Sequence, residues 1–336
     1  MNTRICAIAK DEGAYLAEWV FHHIYFGFDK LHIYINRTTD ASTSILDAIA
    51  RRYPQVSYEK LDWIDNCTPD VTKRIQIVAY GKDLHVAQTE GDDWWMCLDI
   101  DEFWVPQDFE TPIGEFVIQF SDIQPICFLW HNVRGESQPF TPLAPDSHYD
   151  ITPQVKTITP IKVSPIKFVR IHKPKYHLEV TPINADGETM IFSTEVDQRA
   201  DRMMRSSYNA YIVHQMYRSE PEYLASMLRG NPEGRFTLKT NRPGYKAKSI
   251  NGKQRTFSWP KESYSNYIEA KDEFFNLVDL EGIIEGEKDN ILRNSKIVGE
   301  IVMSKLDKKS IDDILKSLTG THLHSQVKSY KENDSE

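Results

Sequence analysis

Apolar and polar positions follow two different periods along the first hundred residues. Residues 4–9 keep the two-residue period of a strand, whereas Leu16, Trp19, Val20, His23 and Ile24 recur at helical spacing within residues 13–26. Leu31, Ile33 and Ile35 predict a second strand over 30–36, closed by the polar turn Arg37-Thr38-Thr39-Asp40. Asp40 or Ser42 is placed to cap a helix over 45–52. Residues 56–61 predict a third strand, and 72–89 a long helix that turns Ile75, Val78, Ala79, Leu84 and Val86 inward. An apolar run beginning at Trp94 then predicts a buried strand. Strands that alternate with helices in this way build crossovers around a mostly parallel sheet. Ligands of such sheets bind beyond the carboxyl ends of the strands, where Lys10-Asp11-Glu12, Asn36, Asp99 and Asp101 fall.

Beyond Pro125 the period-two runs shorten to 126–130, 155–158, 167–171 and 211–214, broken by proline and polar residues. Antiparallel additions to the sheet are expected there. Residues 228–260 are rich in Gly, Pro, Lys, Arg and Asn and read as a mobile basic loop. From Phe274 onward Leu277, Leu280, Ile283 and Ile284, then Ile297, Val298, Ile301 and Val302, predict helices. The last dozen residues read as frayed. The chain thus divides sequentially: 1–228 as an α/β domain (1–124 and 125–228 as its halves), 229–260 as the loop, and 261–336 as a helical extension.

Composition narrows the picture. With 336 residues, 40% hydrophobic and 26% charged, the chain can bury a real core. A net charge of −9 excludes a general nucleic-acid surface. No stretch reads as a membrane span or signal peptide, and Cys6, Cys67, Cys97 and Cys127 lack metal-ligand spacing, so a reducing cytoplasm is the expected location. Peripheral membrane or subunit contact is left to the C-terminal helices.

The chemistry concentrates in Trp94-Trp95-Met96-Cys97-Leu98-Asp99-Ile100-Asp101-Glu102-Phe103-Trp104-Val105. In an extended backbone Asp99 and Asp101 point to one side while Ile100 turns into the core. Two carboxylates with open positions around them suit Mn²⁺ or Mg²⁺ bridging a diphosphate, so a nucleotide-sugar or similar phosphate ester is the implied ligand.

Residues 10–36, KDEGAYLAEWVFHHIYFGFDKLHIYIN, resemble the opening of glycosyltransferases of the family 2 and family 92 type, and LDIDEFWV resembles their Asp-X-Asp-Glu-Phe motif. Looser likeness runs through Val155-Lys156-Thr157-Ile158, Arg170-Ile171-His172, Ala185-Asp186-Gly187 and the block from Ile212 to Ser219. The resemblance implies a GT-A fold, α/β with a mostly parallel sheet, antiparallel additions and here a helical C-terminal extension. It also implies metal-dependent transfer of a sugar from a nucleoside diphosphate, UDP in the first instance, to a glycan or other hydroxyl acceptor, with inversion, in surface or capsular polysaccharide synthesis. Asp101 would hold the metal directly, Asp99 the ribose or the metal through water, and Glu102 would support both. His172, ahead of His214, would complete the metal shell. Lys10, Glu12, Asn36, Gln76, Asp99 and Lys156 would line the donor site. Lys156, Lys162, Arg170 and Lys173 would add positive charge around the diphosphate, most of them as surface residues. Among Glu136, Asp146 and Asp150, Asp146 is the chosen base for the acceptor hydroxyl. Trp104, Trp130 and Tyr149 are candidates for stacking on sugar faces. Two positions depart from the family pattern: Asp11 stands for the usual Asn, and Ile35, which accepts no hydrogen bond, for the usual Asp. A metal-dependent phosphohydrolase and a non-catalytic GT-A scaffold are the alternative readings.

Overall fold

A computed structural model describes residues 1–120, 123–194, 198–230, 238–248, 255–304 and 314–333. Two compact units emerge, each from three separate stretches. Met1–Asn132, Ile151–His214 and Ser258–Ile283 form the first, and Val133–Asp150, Gln215–Phe257 and Ile284–Glu336 the second. Composition divides the chain sequentially instead, at 228 and 260.

The first unit opens with β1 (Thr3–Ala9), α1 (Gly13–Tyr25), β2 (Lys30–Ile35), α2 (Ser42–Arg52) and β3 (Val56–Lys60), in the expected order. Asp40 does not cap α2 with its side chain. Its carboxylate instead accepts the Gly13 amide at 2.6 Å and the Ser42 amide at 2.9 Å, tying the start of α1 to the start of α2. The helix expected over 72–89 is two: α3 (Pro69–Thr72) and α4 (Ile75–Glu90). Pro69 starts a turn of its own, which the Lys73 and Arg74 amides close on the carbonyls of Pro69 and Val71 before Ile75 begins again. The remaining strands are β4 (Trp94–Cys97), β5 (Glu102–Pro106), β6 (Ile126–Val133), β7 (His148–Pro160), β8 (Ile166–Phe168), β9 (Lys175–Tyr176), β10 (Ile183–Asn184) and β11 (Ala210–His214).

The main sheet runs β3-β2-β1-β4-β7-β6-β11-β5, with β10 beside β6, while β8 and β9 pair apart. β1 to β4 are mutually parallel where they meet, β7 is antiparallel to β4, and β11 is parallel to β6 but antiparallel to β5. This is the expected α/β class, a mostly parallel sheet with antiparallel additions and C-terminal helices. Arg4 anchors its lower end, holding the buried Asp83 of α4 at 3.0 Å while the Trp95 indole donates to the same carboxylate at 2.8 Å.

Within the extension read as helical from 261, the apolar spacing shows only from Phe274, yet the helix begins at Lys261 and runs to Val278. Its buried positions Ser263, Tyr267, Phe274 and Val278 are far apart among charged residues, which masks the period in the sequence. On α1 they meet a matching face: Phe21 lies 5.1 Å from the Tyr267 ring and 5.5 Å from the Phe274 ring, and Lys271 bonds Glu18 at 2.7 Å.

The second unit packs Tyr217, Tyr223, Tyr245, Val298, Leu318 and Leu323 into one core. The helix Glu220–Ala225 starts on a capping box of Ser219 and Glu222. Gly320 adopts φ +82, and a Cβ there would meet the Tyr245 carbonyl oxygen at 2.2 Å, so no other residue fits. Contrary to the expected frayed end, His322–Asn333 is a helix that buries Leu323 and Val327. The basic segment is partly ordered: Leu238 and Tyr245 are core residues and the short strand Arg255–Thr256 pairs with His148 and Tyr149, while 231–237 and 249–254 lie outside the described residues. Among the described residues no helix is long and apolar enough to cross a membrane.

Candidate active site

Four residues link β4 to β5, although the sheet order places β7, β6 and β11 between them. Four strand spacings in a flat sheet need about 19 Å, and the link is a tight turn in which the Glu102 amide bonds the Asp99 carbonyl at 3.0 Å. The intervening strands must curl back, which brings Lys156 of β7, Asn132 of β6 and His214 of β11 around the turn between β4 and β5. Asp99 and Asp101 therefore sit in a turn, not in the extended backbone expected from their spacing. Ile100 is still buried. The Trp19 indole of α1 pins the turn by donating to the carbonyls of Asp99, at 3.1 Å, and Glu102, at 2.9 Å.

Asp99 is already well held. Gln76 donates to its Oδ1 at 2.7 Å and the Tyr80 hydroxyl at 3.1 Å, both from α4, and the Lys156 ammonium stands 3.6 Å from its Oδ2. Lys156 lies beneath the turn: its side chain is 0% exposed, and Nζ lies 2.9 Å from the equally buried Glu102. Glu102 in turn accepts the Asp99 amide at 2.8 Å. Burial pushes the Glu102 carboxyl up to about 7 against the opposing pull of Lys156. For Lys156, burial favours loss of the proton, but Asp99 and Glu102 outweigh it and hold the ammonium charged.

Asp101 faces a histidine. The ladder sets His214 opposite Glu102 on one side and Asn132 on the other. His214 Nδ1–H donates to Asn132 Oδ1 at 3.0 Å, which leaves Nε2 3.6 Å from Asp101 Oδ1. Burial lowers the His214 pKa, yet Asp101, with Glu102 and Asp99 behind it, more than reverses this, so the net shift is upward. His172, favoured from sequence, is not beside Asp101. Its Nδ1 donates to the Val155 carbonyl at 3.1 Å, and burial together with Lys156 drives its pKa down to about 4, so it is neutral at physiological pH. The Trp130 ring lies between the two, 5.1 Å from His172 and 4.2 Å from His214.

No three His, Cys, Asp or Glu side chains among the described residues stand together as a preformed metal cage. The donor set nonetheless fits a cation that completes its shell from a ligand. Asp101 supplies oxygen, and His214, with Nδ1–H committed to Asn132, supplies Nε2.

The other sequence candidates are placed as follows. Lys10 and Asn36 follow β1 and β2, and Glu12 directly precedes α1, its carbonyl accepting the Tyr15 and Leu16 amides at 2.8 and 3.0 Å. Asp11 and Arg37 have φ of 52° and 51°, tight left-handed corners at the ends of adjacent parallel strands. Asp11 is anchored by the Thr39 amide at 2.7 Å. Asn36 Nδ2 donates to the Leu61 carbonyl at 3.4 Å. Asp146 belongs to the second unit, exposed in a turn, whereas Asp150 pairs with Arg134 at 2.6 Å and Glu136 with Lys248 at 3.5 Å. Trp104 is wholly buried and Tyr149 stacks on Phe257, so neither presents a ring to a sugar. Tyr80 and Asn132 escaped the sequence reading. Tyr80 lies one helical turn after Gln76, on the same face, and that i,i+4 relation was the available signal.

The model of glycosyltransferase family 92 matches residues 6–220. The chain belongs to that family. Its matched span contains the whole rim, from the β1 corner to His214. Among solved structures, similarity is found to a glycosyltransferase involved in the glycosylation of the major capsid of PBCV-1. That alignment has 14% identity over 47% of this chain and 60% of that one, with a TM-score of 0.23. A second is mannose-1-phosphate geranyltransferase from Thermus thermophilus, with 9% identity, 46% and 49% coverage, and a TM-score of 0.25. The chain spans 60% and 49% of those two. A search of the curated proteins returns no match.

Proposed function

We propose that this family 92 member transfers a sugar from a nucleoside diphosphate, UDP by preference, to a hydroxyl of a glycan acceptor, with inversion, in the synthesis of a surface polysaccharide. One observation carries the reading: at the carboxyl ends of the parallel strands, the Asp99–Asp101 turn meets His214 and Asn132 on one side and Gln76, Tyr80 and Lys156 on the other. A bound Mn²⁺ or Mg²⁺ would neutralise charge developing on the departing diphosphate.

The chain's own residues prepare that step. Asp101 and His214 would hold the cation, and Asn132 keeps the His214 ring turned so that Nε2 faces Asp101. Asp99, fixed by Gln76 and Tyr80, presents its carboxylate to the ribose hydroxyls rather than swinging freely. Lys156 compensates Glu102 and Asp99 from below, so the rim does not repel a diphosphate with three uncompensated carboxylates. Lys10, Glu12 and Asn36 border the same strand ends. Asp146, with no cation partner among the described residues, is the candidate to accept the acceptor's proton, as Asp150 and Glu136 are engaged by Arg134 and Lys248.

The test is nucleotide release from a panel of UDP- and GDP-sugars with Mn²⁺ and mixed oligosaccharide acceptors. Release with one donor, lost in Asp101→Asn and His214→Ala, supports the reading. No release with any donor, and no nucleotide binding, contradicts it.

A further inference from the structure

His172 lies on the turn between β8 and β9, and that turn is held from several sides. Ile166, Val169 and Tyr176 root the hairpin in the core that also contains Tyr80, Leu84 and Ala87 of α4. The His172 carbonyl accepts the Thr157 hydroxyl at 3.2 Å, and the ring Nδ1–H donates to the Val155 carbonyl at 3.1 Å. Lys173, the next residue, sits 4.4 Å over the Phe192 ring. A ring fixed in this way has given up most of its freedom before any ligand arrives, so a contact made through it costs little further ordering.

The bond to Val155 also sets the tautomer. A carbonyl only accepts, so Nδ1 carries the proton and Nε2 is left with a bare lone pair. Among the described residues no group bonds Nε2, and the ring is partly exposed. Burial and the Lys156 ammonium keep a second proton off, with the pKa down to about 4, so at neutral pH this edge of the ring accepts and does not donate. The surroundings are those of the candidate site. Lys156, Asp99 and His214 all act on the charge of the ring. Trp130 stands between it and His214, 5.1 Å from the one and 4.2 Å from the other.

A bare acceptor selects its partner by chemistry. The diphosphate of a nucleotide sugar has no proton to give and would set oxygen lone pairs against that of Nε2. A cation is disfavoured by Lys156 for the same reason that a second proton is. The group that fits is a neutral donor, and past the diphosphate a nucleotide sugar brings the hydroxyls of its sugar. We infer that His172 Nε2 accepts a hydrogen bond from a hydroxyl of the sugar to be transferred, which makes His172 a specificity-determining residue for the donor. The inference deepens the glycosyl-transfer reading and rests on it. It gives His172 a task separate from that of His214, which faces Asp101 and the cation.

The experiment is calorimetric titration of the full chain with Mn²⁺ and without acceptor, comparing UDP with UDP-glucose, UDP-galactose and UDP-N-acetylglucosamine in wild type, His172→Asn and His172→Ala. Asparagine keeps an amide N–H where Nδ1 stands, so the Val155 carbonyl stays paired, but it places nothing where Nε2 was. UDP should bind all three proteins alike. The nucleotide sugar that wild type binds tightest should bind each variant at least about fivefold more weakly, the loss of one neutral hydrogen bond, and His172→Asn should keep the wild-type thermal midpoint. Equal affinity of that nucleotide sugar for wild type and His172→Asn, or a loss shared equally by UDP, overturns the inference and leaves the glycosyl-transfer reading standing. A wild-type chain that binds neither UDP nor any of the three nucleotide sugars overturns both.

Discussion

Replacing Lys156 with methionine removes the ammonium that faces the buried Glu102 at 2.9 Å. Glu102 is wholly buried, and its carboxyl sits up at about 7 even with Lys156 in place. Without the lysine, Glu102 must either stay charged and unpaired or take up a proton on folding. Breaking a buried pair in this way typically costs about 3–5 kcal/mol. The sign with pH follows: a carboxyl whose pKa is raised in the folded protein binds more protons there. The variant should therefore lose further stability as pH rises from about 5 to 8. Lys156→Met combined with Glu102→Gln leaves no buried lone charge at position 102, Asp99 keeping its Gln76 and Tyr80 donors, and should recover at least about 2 kcal/mol of the loss. Urea unfolding followed by tryptophan fluorescence, on wild type, both single variants and the double, gives the coupling directly. A Lys156→Met variant within about 0.5 kcal/mol of wild type, or a double variant no better than the single, would refute the compensating pair.

Further outcomes follow from other contacts. Tyr80→Phe removes one of the hydroxyl and amide donors on Asp99 and should weaken donor binding severalfold, about 1 kcal/mol, without changing the fold; calorimetric titration reads it. His22 is buried with its pKa lowered from 6.5 to about 4 by desolvation. The unfolded state thus binds the proton first, and about 3 kcal/mol of stability should disappear as pH falls from 6.5 to 4; His22→Asn should flatten that part of the stability profile. His214 has its pKa raised by Asp101, so protons compete with a cation at Nε2. Mn²⁺-dependent thermal stabilisation should therefore weaken as pH drops through the histidine range, and Asp101→Asn should remove the stabilisation itself.

Much of this architecture was legible in the sequence. The period-two runs of β1 to β3 and the helical spacing in α1 hold because one face of each is buried, and the carboxyl-end placement of Lys10, Asn36 and Asp99 follows from the parallel order. The Asp-X-Asp geometry was not, because its conformation is set by the crossing from β4 to β5, a tertiary fact. Lys156 was expected at the donor site, but its complete burial was not legible: that depends on the antiparallel β7 meeting β4, and local polarity says nothing of it. The sequence favoured His172 over His214, although both read alike as lone histidines at strand ends. Only the register of β11 against β5 and β6 sets His214 beside Asp101 and Asn132.

The most direct test of the central claim is calorimetric titration of the chain with UDP, with and without Mn²⁺. The account predicts that Mn²⁺ tightens UDP binding at least about tenfold and that Asp101→Asn and His214→Ala each abolish the gain while the folded state persists. Equal UDP affinity with and without Mn²⁺ in the wild-type chain, or an undiminished metal effect in Asp101→Asn, would contradict it.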